Sequence, residues 1–362
     1  DGAMDSVLHF DAQQNYDCIQ CGRGCRAGWD IPVEPEVVAR LQDHPLTLRV
    51  IAERGSAFRV EEDRTFIQSS KDCKECGFLE ENQLCGIHRE LGFEAKPATC
   101  KMFPFVVTQT PEGLFVGTTY YCSAVRQNVG RPCSDHEADV RVLLKDSGPV
   151  NQIARDGLVI HNRYYMNWKN YQAFEQELLK RIVESGHQDA LTEAVLAVAT
   201  MMAQYPLLEE GAQPIGHRLA KCWETFDIIQ GLPILESLIN QQILDYFKFS
   251  LDRPLWDAVE AALWNDTAMQ LPHYDWSGTL SDLHKLVSTS VAQQWDKHIE
   301  RYLDHLIFRK AMVVQPLLLA SLCQLHMLPN FLKVHTALLA HQRGHAQSHE
   351  QEIGRASCRE RV

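Results

Sequence analysis

The sequence predicts an α+β protein in two parts: a small irregular cysteine-cluster domain with β-hairpins, followed by a mostly α-helical bundle. Three observations predict it. Nine of the 12 cysteines fall between positions 18 and 133, β-branched and aromatic runs broken by turn residues lie in the same stretch, and beyond about residue 150 apolar residues recur at helical spacing. The composition changes at Asp146-Ser147-Gly148-Pro149, which sets the expected domains at 1–148 and 149–351. Residues 352–362 (EIGRASCRERV) read as the translation of a sequencing adaptor, so they and Cys358 are set aside, and the natural C-terminus is expected to be lost.

The elements follow in order. Residues 35–42 open on Pro35, which suits the first turn of a helix. Residues 57–60 and 65–68 form a candidate strand pair around the acidic turn Glu61-Glu62-Asp63. Residues 105–110 and 114–121 flank Pro111-Glu112-Gly113 as a hairpin that delivers Cys122 at its end. Ser134-Asp135-His136-Glu137 has the spacing of a capping box. Farther on, Tyr171, Phe174, Leu178 and Ile182 share a helix face that Gly186 ends, and residues 191–205 continue the pattern until Pro206. Val291, Trp295, Ile299, Tyr302 and Leu306 make a further stripe, read as core. The longest apolar stretch, 312–328, holds Gln315, Pro316, Gln324 and His326, so it predicts a buried helix pair broken at Pro316 and not a membrane span.

At 362 residues and 45% hydrophobic the chain can bury a proper core. A net charge of -12 excludes nucleic acid as the main partner and is compatible with a basic protein substrate. No signal peptide is legible from Asp1, and the expected location is cytoplasmic.

The cysteines carry the chemistry. Cys18-x2-Cys21-x3-Cys25 and Cys73-x2-Cys76-x8-Cys85-x14-Cys100, followed by Cys122 and Cys133, have the tight-turn spacing that lets sulfurs converge on zinc or an iron-sulfur cluster. A disulfide framework, the rival reading, belongs to short secreted chains. The three thiols of the first motif cannot complete a four-ligand centre alone, so Cys76, Cys85, Cys100 and Cys122 are the expected partners of Cys18, Cys21 and Cys25. His88 is equally a further ligand or a surface histidine. His341, His345 and His349 recur every fourth residue, but Gly344 interrupts them. Cys222 and Cys323 lie in apolar helical patterns and read as small core residues. The order C-x2-C-x3-C is the reverse of the radical-SAM motif. The chain has no Walker, G-x-S-x-G or H-E-x-x-H motif and no Rossmann fingerprint.

The segments DCIQCGRGCRAGWDIPV, CGFLEENQLCGIHRELG and TCKMFPF resemble the YkgJ-type cysteine-cluster family of zinc- or iron-chelating domains, and within it the flagellin lysine-N-methylase (FliB) branch. The resemblance covers about residues 16–125. One departure is that Arg26 follows Cys25 where the family often has adjacent cysteines, leaving a ligand absent or supplied by Cys73 or Cys122. The resemblance implies a [4Fe-4S] cluster, with zinc as the alternative, and transfer of a methyl group from S-adenosylmethionine (SAM) to a lysine of a flagellin-like protein. The other functional classes are a metal-stapled interaction module and a redox-sensing iron-sulfur protein. Tyr120, Tyr121, Asp30 and Glu34 lie near cysteines and could orient an amine, although structural roles are the simpler reading for each.

Overall fold

The computed structural model describes residues 6–69, 75–204, 214–224, 231, 233–235, 257–258, 261–262, 265–290, 296–314 and 317–343. Cys73, Tyr205, Pro206, Val291, Trp295, Gln315, Pro316, Gly344, His345, His349 and the 352–362 tail lie outside the described residues. The chain is mixed α+β, as expected, and divides into two compact units, Asp1–Asn151 and Gln152–Val362.

The first unit is built from short pieces. Strand β1 (Leu8–Phe10) precedes a 3-10 turn at Gly24–Arg26. Helix α1 (Pro35–Leu41) has its proline in the first turn, where the missing N–H costs no hydrogen bond, and α2 (Pro45–Arg54) starts the same way. Strands β2 (Phe58–Glu61) and β3 (Arg64–Ile67) form the expected hairpin. Its turn narrows to Glu62 and Asp63, with φ of 46° and 66°, because a two-residue turn with both φ positive matches the twist of the strands. Helices α3 (Gly86–Leu91) and α4 (Ala98–Met102) are each little more than a turn. The second hairpin, β4 (Phe105–Thr110) and β5 (Gly113–Thr118), runs in register from Phe105↔Thr118 to Thr110↔Gly113 and leads into α5 (Ser123–Gln127).

Helix α6 (Glu137–Ser147) departs from the expected start. Ser134 lies in a 3-10 turn, Cys133–His136, and no side chain caps α6; His136 shares a hydrogen bond with the Tyr16 carbonyl at 2.7 Å instead. Parallel pairing of β1 with β5 (Leu8↔Leu114 to Phe10↔Val116) is unannounced by local pattern. It contributes to a four-stranded sheet ordered β1-β5-β4-β6, where β6 is Asn151–Gln152. The apolar interior falls into two clusters, one around Leu41, Leu46, Ile67, Phe78 and Ile87 and one around Val107, Leu114, Val116 and Val140.

The second unit opens on the hairpin β7 (Leu158–His161) and β8 (Tyr164–Met166), then α7 (Trp168–Ser185), which ends at Gly186 as expected. Tyr171, Phe174 and Leu178 are fully buried on one face, which is why the 3.6-residue period was visible. Helix α8 (His187–Gln204) buries a run of small residues including Ala190, Ala194 and Ala197. A second two-stranded sheet pairs β9 (Met269–Leu271) with β10 (Trp276–Gly278). Helix α9 (Leu280–Thr289) starts with a formed capping box between Thr279 and Asp282. Helix α10 (Asp296–Phe308) buries Ile299, Tyr302 and Leu306, the described part of the predicted stripe. Short α11 (Ala311–Val314) and long α12 (Leu318–Arg343) stand on either side of residues 315–316. Inside this unit the Lys310 ammonium pairs with Glu175, whose other oxygen accepts from the Tyr171 hydroxyl, all three side chains being buried. Among the described residues no helix is long and apolar enough to cross a membrane.

Candidate metal centre

Cys18 and Cys21 sit on the loop after β1, and that loop is held from far along the chain. Tyr16 and Asp17 donate backbone N–H groups to the carbonyls of Arg131 (2.9 Å) and Val129 (3.1 Å), and Arg131 N–H donates back to an Asp17 carboxylate oxygen at 2.9 Å. Gly130 is required at this crossing: its φ is +98°, and a Cβ there would fall 2.4 Å from the Asp17 nitrogen. Just beyond, Gln20 and Gly22 take left-handed backbone (φ 54° and 65°), which reverses the loop between the first two thiols, and the Gln20 N–H reaches the Cys18 sulfur at 3.4 Å.

Cys25 lies on the 3-10 turn, and its carbonyl accepts the Cys76 N–H at 2.7 Å. Cys76 also bridges to Ser69, and Leu79 bridges to Cys85, which folds residues 76–85 back on themselves. Cys85 immediately precedes α3, Cys100 is within α4, and Cys122 immediately precedes α5. The result is one cavity of about 520 Å³ whose wall includes Cys18, Cys21, Cys25, Cys76, Cys85, Cys100 and Cys122. Its apolar wall includes Trp29, Phe93 and Phe103; the Trp29 ring centre lies 5.4 Å from that of Phe103 and 5.0 Å from that of Tyr121.

Burial governs the protonation of Cys25, Cys76, Cys100 and Cys122. Loss of solvent, with the neighbouring Cys85 adding to it, pushes Cys25 up to about 11; burial raises Cys100 to about 12 and Cys122 to about 11, and Cys76 is raised further. Lys96 works in the other direction on Cys25 and Cys100. Such a site favours neutral thiols until a cation compensates the thiolates, which is what a metal does. Backbone donors are already placed for charged sulfur: N–H groups of Ala124 and Val125 serve Cys122, and that of Phe78 serves Cys76. The donor chemistry and its shared location fit zinc or an iron-sulfur group. As the thiols stand, no three His, Cys, Asp or Glu among the described residues are drawn together closely enough to hold an ion. All ten described cysteines are unpaired.

The other candidates separate cleanly. His88 lines the cavity, its ring edge-on to Phe93. Tyr120 is buried and donates its hydroxyl to Gln14, Asp30 pairs with Arg59 at 2.5 Å, and Glu34 accepts the Ala98 N–H at 3.2 Å. None of these three, nor Tyr121, lines the cavity. Cys133, Cys222 and Cys323 are buried and are not among its lining residues, and His341 lies in the last turn of α12. Sequence reasoning missed Trp29, Phe103 and Lys96; the first two stood in the quoted Gly-Trp and Phe-Pro segments but were read only as family signature.

These observations describe a thiol-lined cavity whose donor set suits a metal. Residues 17–123, less than a third of the chain, match the family model described as "Putative zinc- or iron-chelating domain" (CxxCxxCC). Comparison with curated proteins and with solved structures returned no match.

Proposed function

We propose that the first unit holds a thiolate-bound iron-sulfur centre, with zinc the alternative, and that the chain is a SAM-dependent protein-lysine N-methylase of the flagellin-modifying type. The observation that carries the metal reading is the convergence of seven cysteines from five separate segments on one cavity. The methylase reading is supported by the resemblance of the cysteine segments and by the size of the cavity. About 520 Å³ exceeds the room a lone tetrahedral ion needs and leaves space for an organic co-substrate against Trp29 and Phe103. A cluster with an iron not fully held by cysteine would supply a Lewis-acidic position for the amino and carboxylate groups of SAM. The protein's own residues exclude water with the aromatic wall, offer ring faces to a sulfonium, and donate backbone N–H groups to sulfur. In the transfer, a neutral lysine amine bonds to the methyl carbon as the methyl–sulfonium bond breaks, and the product ammonium releases its proton to solvent. The charge of -12 favours a lysine-bearing partner, and the ten described thiols, all unpaired, suit a reducing, cytoplasmic setting.

The test is anaerobic purification with iron, zinc and labile-sulfide analysis, followed by incubation with labelled SAM and flagellin, with Cys21→Ser as control. Label on lysine that the control lacks is the expected result. Bound metal with neither label nor SAM binding by calorimetry would leave a metal-stapled interaction module as the function.

A further inference from the structure

We infer that the seven thiols form two centres: Cys25, Cys76, Cys85 and Cys100 make a closed four-thiol set, and Cys18, Cys21 and Cys122 make a separate three-thiol set with one ligand position left open. This rests on the metal-binding reading above. Seven thiols are more than one tetrahedral ion or one four-iron cluster takes.

The division follows the packing. Cys76 belongs to the apolar cluster around Leu41, Ile67 and Phe78, and Cys25, Cys85 and Cys100 pack against that same cluster, whereas Cys18, Cys21 and Cys122 do not. Backbone hydrogen bonds divide the sulfurs the same way. The Cys76 N–H is tied to the Cys25 carbonyl, and the Cys85 strand segment folds back beside Cys76 through the Leu79 bridge. Cys18 instead follows Tyr16 and Asp17, whose bonds run to Val129 and Arg131, just past the helix that Cys122 begins. The loop ahead of it is tied to that helix directly, through Gln14 and the Val125 carbonyl at 3.0 Å. The two sets adjoin where the loop that carries Cys21 runs into the 3-10 turn of Cys25.

The open position follows from what lines the cavity. No aspartate or glutamate is among the described residues that line the cavity, so none of the described carboxylates completes the three-thiol set. His88 is on α3, two residues beyond the start of the helix that Cys85 caps, and its ring packs against Phe93, which places it with the four-thiol set. The assignment gives the two sets different duties. A four-thiol centre is closed and serves the fold, and a three-thiol centre can accept an exogenous ligand.

The experiment uses the full chain reconstituted anaerobically, once with zinc alone and once with iron and sulfide, comparing wild type with Cys18→Ser, Cys122→Ser, Cys76→Ser and Cys100→Ser. Metal and sulfide per chain and thermal melting are the readouts. Wild type should bind two equivalents of centre. Cys18→Ser and Cys122→Ser should keep half of the metal and the wild-type melt of the first unit, whereas Cys76→Ser and Cys100→Ser should lose half or more and melt earlier. The first two variants decide the matter even if the others fail to fold. A single equivalent in wild type, or Cys18→Ser and Cys122→Ser that lose either all of the metal or none of it, would overturn the two-centre assignment and leave the metal-binding function standing. Wild type without bound metal would remove that function as well.

Discussion

The two units solve the problem of holding a chain together in different ways. In the second, α7 and α8 are each 18 residues long and bury continuous apolar faces, so side-chain packing alone accounts for their order. In the first, α3, α4 and α5 are five or six residues long, too short to be stable helices by themselves, and the segments that carry thiols are held by isolated backbone bonds. A cavity walled by seven thiols lies against one of its apolar clusters, to which Cys76 itself belongs. The contrast teaches that long apolar helix faces carry the order of one unit, whereas short thiol-bearing segments tied by single backbone bonds carry that of the other.

Metal removal should expose this difference most strongly. Stripping the reconstituted protein with a chelator should abolish or greatly lower the melting transition of the first unit, by about 10 kcal/mol for a structural site, and leave that of the second in place. Scanning calorimetry before and after chelation checks it, and transitions that shift together would break the comparison. Next in size, Phe174→Ala, at a fully buried ring stacked 5.1 Å from Trp223, should cost about 4 kcal/mol in the second transition only, with metal content unchanged. Lys310→Met should cost about 3 kcal/mol there, because it strands the buried Glu175 carboxylate, and Lys310→Met with Glu175→Gln should recover part of the loss in chemical denaturation.

A smaller effect is pH-dependent. Burial lowers the pKa of His326 below its ordinary 6.5, so the neutral ring is favoured in the folded state. Its contribution is present above the unfolded value and is lost as pH falls through 6.5 toward the folded one. The second transition should therefore weaken on mild acidification, and His326→Gln, which can still bond Thr192, should flatten that slope. The smallest effect expected is on Cys323→Ser and Cys222→Ser: metal content should be unchanged, with about 1 kcal/mol lost for the buried hydroxyl.

What the sequence showed and what it hid have physical reasons. Both hairpins of the first unit and the buried face of α7 were legible because their signals are local, either a turn chemistry or a period. The Ser134 capping box failed because His136 is bonded to Tyr16, 120 residues away in sequence, and the helix starts where that contact allows. The same limit applies to the site. Spacing named the thiols that line the cavity, but the placing of the first two depends on Asp17 meeting Val129 and Gly130, which no local pattern records. Trp29 and Phe103 face the cavity through packing against each other, so their role too is non-local.

The long tether of the first loop also has a consequence during synthesis. Cys25, Cys76, Cys85 and Cys100 are all on the growing chain once residue 100 has been added, and their folding partners lie among the same residues. Cys18 and Cys21 are made before these four, yet the arginine that ties down the loop just ahead of them comes 114 residues after Asp17. At about 5–20 residues per second, that leaves them unplaced on the ribosome for roughly ten seconds. Of the cavity's seven thiols, the two made earliest are thus tethered only after the other five have been added.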